Sequence, residues 1–99
     1  MKYFMASSSM LSPLPCTAAE LAEKYIPLHA AHINRGVESG NILLAGPRPE
    51  GGGLMIARFP DREAMDDFLS RDPFVTYGLA EFEVQEFIPK DRCDLVKQW

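Results

Sequence analysis

Both histidines of the chain, His29 and His32, lie in a segment whose apolar residues recur at steps of three and four. This period predicts a helix with one apolar face, centred on Ile26, Ile33 and Val37. Turning about 100° per residue places His29 about 60° from that centre and His32 about 120° away. We therefore expect His29 to border the core and His32 to lean toward solvent. A neutral imidazole beside a pocket is a candidate general base.

Two other interpretations of these histidines stay open. A single histidine on the flank of a helix is often a structural residue with a satisfied ring. The spacing of His29 and His32 also suits two metal ligands on one helix, although no third ligand at a matching spacing accompanies them. Gly36 lies nearly below His29 on the helical wheel, and its missing side chain predicts a cavity beside that ring.

Asp72 stands directly before Pro73. This pair is typical of an N-cap and the first position of a short helical turn, which we predict for residues 73–77. A carboxylate held by backbone amides stays ionised and fixed in direction, so it can also orient a histidine. The sequence therefore leaves two roles for Asp72, as a turn cap and as a partner of His29.

The other reactive residues support no site. Cys16 and Cys93 match neither a CxxC redox pair nor a zinc-ligand spacing, and we predict free thiols. No GxGxxG, Walker or HExxH motif occurs. The three glycines at positions 51–53 precede a strand rather than a helix, which predicts a mobile loop and not a phosphate cradle. We therefore predict that the protein uses neither a metal nor an organic cofactor.

The elements that must position His29 and Asp72 follow the order strand, helix, strand, strand, helix, strand. Their predicted ranges are 2–11, 17–40, 42–45, 54–59, 61–71 and 81–85. Thr17 and Glu20 predict a capping box, and Pro27 predicts a kink or break within the first helix. This order is the split βαβ of ferredoxin-like folds, an α+β class in which two helices cover one face of an antiparallel sheet.

Composition bounds the domain organisation and the partners. The 99 residues, 46% of them hydrophobic, predict a single domain with residues 89–99 as a tail. A net charge of −4 with scattered basic residues argues against a nucleic-acid partner. No apolar run approaches the roughly 18 residues of a membrane span. Serines at positions 7–9 interrupt the N-terminal apolar residues before a signal peptide can form, so we expect a cytoplasmic protein.

Two helices can cover only one face of the predicted sheet. The strands at 42–45 and 54–59 are apolar at consecutive positions, so apolar side chains point to both faces. Monomers rarely expose such a patch. We predict a symmetric homodimer that packs sheet against sheet. The alternative is that the tail after Ile88 folds back over the open face.

The stretch from Pro27 to Ile88 resembles the YCII-related proteins. The resemblance rests on three motifs: Pro27-x-His29, Ala45-Gly46-Pro47 with the following glycine-rich loop, and Asp72-Pro73-Phe74 closing into Gly78-Leu79. It implies a ferredoxin-like dimeric α+β barrel. It also implies an active site formed by His29 and Asp72.

Some members of that family are associated with dehydrochlorinase or lyase-type chemistry on hydroxylated aromatic rings. For this chain the resemblance implies that Asp72 fixes one ring nitrogen of His29, so that the other can take a proton from a small substrate without a cofactor. Two departures from the family pattern predict a weaker anion site and a helix over the cleft. Ile26 stands where an arginine is often found, and the segment from Leu14 to Ile26 is unusually long. The alternative function is a non-catalytic dimeric module that binds a small ligand or a partner protein.

Overall fold

One antiparallel sheet organises the protein, as given by a computed structural model of residues 1–99. Its strands are β1 (Lys2–Met10), β2 (Ile42–Pro47), β3 (Gly53–Phe59) and β4 (Ala80–Phe87). They lie in the order β2-β3-β1-β4, and every neighbouring pair is antiparallel. This order confirms the α+β ferredoxin-like fold predicted from the sequence.

The helical elements connect β1 to β2 and β3 to β4. They are α1 (Ala18–Glu20), a π-helical turn (Leu21–Tyr25), α2 (Ile26–Glu38), α3 (Arg62–Ser70), α4 (Pro73–Thr76) and a 3-10 turn (Asp94–Val96). None of the helices is both long enough and apolar enough to cross a membrane.

The first helix begins as predicted but does not break at Pro27. Thr17 and Glu20 form the capping box, and hydrogen bonds from Thr17 hold the pKa of the Glu20 carboxyl below its ordinary value. Helical backbone then continues through the π-helical turn into α2, where Pro27 occupies the first turn. The wider π turn shifts the hydrogen-bond register, so that the Ile26 amide bonds the Leu21 carbonyl. The predicted break therefore does not occur, and the helix instead has an irregular turn just before Pro27.

The core lies between the helices and one face of the sheet. Eight buried apolar residues form it: Phe4, Ala6, Ile42, Met55, Ala57, Phe59, Met65 and Leu69. A second, smaller cluster consists of Phe74, Leu79 and Ala80, and Leu21 and Tyr25 pack against it. The π-helical turn is therefore anchored on the segment that follows α3.

The predicted centre of the apolar face of α2 is wrong. Ile26 and Val37 are 45% and 43% exposed, whereas His32 is only 6% exposed. The His32 ring stacks on Phe68 with centroids 4.3 Å apart, and its Nε2 lies 2.8 Å from the Phe68 carbonyl oxygen. A polar ring with a satisfied hydrogen bond can be buried, so His32 faces the core and not solvent.

Gly36 permits close packing of α2 rather than a cavity beside His29. A Cβ added at Gly36 would lie 2.5 Å from Cδ1 of Ile42 and 2.9 Å from Cζ of Phe68. These two side chains fill the space that the glycine leaves. The expectation that Gly36 opens the pocket is therefore wrong.

The C-terminal tail covers one end of the open sheet face. The Tyr3 hydroxyl and the Arg58 guanidinium donate to the main-chain oxygen of Trp99, at 2.6 and 2.8 Å. The indole packs against both side chains. Leu44 and Phe87 remain 57% and 39% exposed on the same face. The tail therefore folds back as the alternative expected, but it leaves part of the apolar face open.

Gly36→Ala tests the close packing of α2. We expect the overpacking against Ile42 and Phe68 to lower the free energy of unfolding by about 1–3 kcal/mol, although alanine is the better helix former. Urea denaturation measures the change. Gly46→Ala is the control, because a Cβ there meets no atom within 4 Å. Equal stabilities of the Gly36 variant and the wild type would contradict this explanation.

Candidate active site

His29 and Asp72 lie within hydrogen-bonding distance of each other. Nδ1 of His29, on α2, is 2.9 Å from both carboxylate oxygens of Asp72, which directly precedes α4. A carboxylate can only accept, so the partner assigns the hydrogen to Nδ1. The second nitrogen, Nε2, then keeps its lone pair. The geometry brings together the two residues singled out in the sequence, and their catalytic role remains a prediction.

Asp72 is held rigidly at this position. Its side chain is fully buried, and the backbone amide of Phe74 donates to Oδ1 at 2.9 Å. This bond is the N-cap contact that the Asp72-Pro73 pair predicts. Asp72 therefore has both roles that the sequence left open, because its carboxylate accepts from the Phe74 amide and also contacts Nδ1 of His29.

Phe74 fixes the plane of the His29 ring. The two rings are stacked with centroids 4.0 Å apart and planes inclined by 2°. The His29 side chain is 26% exposed, and Nε2 has no hydrogen-bond partner in the protein. Stacking and the Nδ1 bond therefore orient an imidazole whose other nitrogen is free to act as a base.

A cavity of about 580 Å³ lies beside His29. This volume suits a small ring compound. Its lining is Ser8, Met10, Leu21, Ile26, His29, Ala30, Ile33, Asn34, Ala45, Gly46, Pro47, Gly52, Gly53, Leu54, Met55, Phe74 and Phe82. No lysine, arginine, aspartate or glutamate is among these residues. The cavity is thus apolar, with three polar side chains.

Two of those polar side chains, Ser8 and Asn34, were missed by reasoning from the sequence. Ser8 belongs to the same face of β1 as Phe4 and Ala6, and all three are buried. The alternation of side chains along β1 predicts that Ser8 shares a face with Phe4 and Ala6. It does not predict which face of the sheet lines the cavity, so Ser8 could not be assigned to the site. Leu21 and Ile26 also line the cavity, so the long segment before Pro27 does form a wall of the cleft.

The two histidines do not form a metal site together. Nδ1 of His29 bonds Asp72, whereas Nε2 of His32 bonds the Phe68 carbonyl. No group of three or more histidine, cysteine, aspartate or glutamate side chains converges in the structure. Cys16 and Cys93 are free, as predicted.

The profile of the YCII-related domain matches residues 1–88. The chain therefore belongs to the YCII-related family. This match begins earlier than the resemblance read from the motifs and leaves out the tail that carries Trp99. No curated protein matches the chain significantly in sequence.

Solved structures show the same fold at low sequence identity. Muconolactone isomerase superposes with a TM-score of 0.74 at 16% identity, over 93% of this chain and 94% of that one. The 5-chloro-2-hydroxyhydroquinone dehydrochlorinase TftG from Burkholderia phenoliruptrix AC1100, in complex with 2,5-dihydroxybenzoquinone, gives 0.62 at 18% identity, over 87% and 93%. An antibiotic biosynthesis monooxygenase gives 0.50 at 15% identity, over 90% and 100%.

Asp72→Ala tests whether the carboxylate does more than cap α4. Loss of an N-cap costs about 1 kcal/mol, and the variant also leaves the His29 ring without its partner. We expect a larger loss of unfolding free energy than for Asp61→Ala, which removes an exposed cap that accepts from the Ala64 amide. Chemical denaturation of both variants measures the difference. Equal losses would reduce Asp72 to a cap.

Proposed function

We propose that this protein is an enzyme of lyase or dehydrochlorinase type that acts on a small hydroxylated aromatic compound, with His29 as the general base. The observation that carries the proposal is the imidazole fixed by Asp72 and Phe74 at the wall of an apolar cavity. A base held in one tautomer and one plane suits proton abstraction from a bound ring.

The reaction follows from the roles of the two residues. Nε2 of His29 takes a proton from a ring hydroxyl or an activated ring carbon. When the proton comes from a ring carbon, its electron pair forms a C=C bond as a halide leaves the neighbouring carbon with its own bonding pair. When it comes from a ring hydroxyl, that oxygen becomes a carbonyl as the halide-bearing carbon beside it takes up a proton. A second hydroxyl, para to the first, then loses its proton, its electrons form a C=O and a C=C bond, and the halide leaves with its bonding pair, so that one proton and one halide are lost in all. The carboxylate of Asp72 stabilises the imidazolium that forms, because it accepts the hydrogen bond from Nδ1. The proton then passes to solvent, and no external oxidant or reductant is needed.

The lining of the cavity supports an uncharged ring as the substrate. No cationic side chain lines it to pair with a carboxylate or phosphate. The apolar walls contributed by Leu21, Ile33 and Phe82 suit the faces of an aromatic compound. The structural similarity to TftG, a dehydrochlorinase of a chlorinated hydroquinone, adds an analogy of fold.

His29→Ala tests the catalytic role. We expect kcat/KM to fall by about 10²- to 10⁴-fold, as is typical when a general base is lost. A panel of chlorinated hydroquinones and other small phenols, assayed for chloride release and for changes in ultraviolet absorbance, provides the measurement. His32→Gln is the matched control on the same helix, and we expect its turnover to stay near that of the wild type.

The same assay distinguishes the proposed enzyme from the alternative, a non-catalytic binding module. A non-catalytic module would bind members of the panel without turnover, and His29→Ala would change only the affinity. Turnover that survives His29→Ala would contradict a His29 base. A wild-type protein that turns over no member of the panel would contradict the proposed reaction class.

We also propose that the protein is a homodimer that packs through the open face of its sheet. Leu44, Leu54 and Phe87 are 57%, 37% and 39% exposed on or beside that face. The tail covers only the end that carries Tyr3 and Arg58. A second copy of the chain would remove the rest of this apolar surface from water.

Leu44→Arg tests the dimer. A charge buried in an apolar interface has no partner there, so we expect dimerisation to weaken at least about tenfold. Sedimentation at micromolar concentration distinguishes the dimer from the 11.1 kDa monomer. The control is Leu95→Arg, at a tail position that is 95% exposed. A wild-type protein that sediments as a monomer would overturn the arrangement.

A further inference from the structure

Ser8 lies near the end of β1, an inner strand of the sheet, and lines the cavity beside His29. It pairs with Gly53 of β3 and Phe82 of β4. All three residues line the cavity. Ser8 is 6% exposed, and its hydroxyl is one of the few polar groups that line this apolar cavity.

The Ser8 hydroxyl has a hydrogen to donate and no acceptor in the protein. Its oxygen accepts the backbone amide of Gly53 at 2.8 Å, and this is the only hydrogen bond the hydroxyl makes. A serine hydroxyl can donate one hydrogen bond and accept two. Because the Gly53 amide fixes the oxygen from one side, the hydrogen is left to turn toward another partner. An oxygen atom of a ligand in the cavity can accept that hydrogen.

The positively charged guanidinium of Arg48 lies next to the Ser8 backbone. Nη2 of Arg48 donates to the Ser8 carbonyl oxygen at 2.9 Å, while Nε of Arg48 is buried without a partner. None of the ion pairs in the structure includes Arg48. The guanidinium does not line the cavity, so it contributes potential rather than contact. That potential favours negative charge on a ligand atom at Ser8.

We propose that Ser8 is a substrate-binding residue that donates its hydroxyl hydrogen to the ring oxygen on which negative charge collects when His29 removes a proton. The proposal rests on the proposed function and adds a second polar contact to it. The proton moves from the substrate to Nε2 of His29, and the electron pair it leaves delocalises onto the oxygen bonded by Ser8. The substrate must then carry a hydroxyl or carbonyl oxygen that is conjugated with the group that His29 deprotonates.

The probe 4-nitrophenol tests this assignment, because its anion is coloured and carries negative charge at both ends of the ring. We expect the wild-type protein to bind it with a larger ionised fraction than the free probe shows at the same pH. Ser8→Ala should still bind the ring but reduce the excess ionised fraction several-fold. Ser9→Ala is the matched control, since Ser9 is the next residue of β1 and is exposed. Ser8→Cys, which keeps a weaker donor and an acceptor for the Gly53 amide, should give an intermediate value.

The outcomes separate the two proposals. Loss of probe ionisation in His29→Ala together with an unchanged value in Ser8→Ala would overturn the role of Ser8 and leave the His29 base standing. An unchanged value in His29→Ala would overturn the base itself. Thermal unfolding of each variant shows whether the fold is kept. If Ser8→Ala does not fold, Ser8→Cys decides the matter, and a wild-type ionised fraction in that variant contradicts the proposal.

Discussion

The buried carboxylate of Asp72 is the interaction on which the site depends. A carboxylate without access to water is costly unless hydrogen bonds replace its hydration. The Phe74 amide and Nδ1 of His29 supply these contacts at 2.9 Å each. Because the two donors come from α4 and α2, one side chain joins the helix layer to the segment after α3. The ring of Phe74 then stacks on His29, so the residue whose amide donates to the Asp72 cap also orients the imidazole with its side chain.

The helical segment before Pro27 packs against the same region of the protein. Tyr25 packs against Tyr77 with ring centroids 5.0 Å apart, and Leu21 contacts the cluster that contains Phe74. The π-helical turn therefore encloses the cavity from one side while α2 keeps His29 in place. The hairpin between β2 and β3 also lines the cavity, and it approaches β1 closely enough that a side chain at Gly52 would collide with the Ser8 carbonyl. Gly52 has a positive φ, which glycine adopts without strain, and it has no side chain to keep the hairpin away from β1.

Much of the fold could be predicted from the sequence because its signals are local. Strand alternation, the Thr17 and Asp61 caps and the Asp72-Pro73 turn each depend on neighbouring residues. The orientation of α2 could not be predicted in this way. Hydropathy placed the apolar face at Ile26 and Val37, yet the helix buries His32 and Gly36. His32 is buried because its ring bonds the carbonyl of Phe68, which is distant in sequence. Gly36 is buried because it has no side chain and so allows close packing. The site shows the same division: His29 and Asp72 were found through motif and resemblance, while Ser8 depends on which sheet face lines the cavity.

The central claim is that Asp72 holds His29 in the tautomer that leaves Nε2 free in the cavity. Nitrogen NMR of the two imidazoles, at a pH where both rings are neutral, tests it directly. The structure predicts opposite tautomers in one spectrum: His29 protonated at Nδ1, because it donates to Asp72, and His32 protonated at Nε2, because it donates to the Phe68 carbonyl. In Asp72→Asn the His29 signal should change while that of His32 stays the same. A His29 ring protonated at Nε2, or one that averages between tautomers in the wild-type protein, would contradict the account.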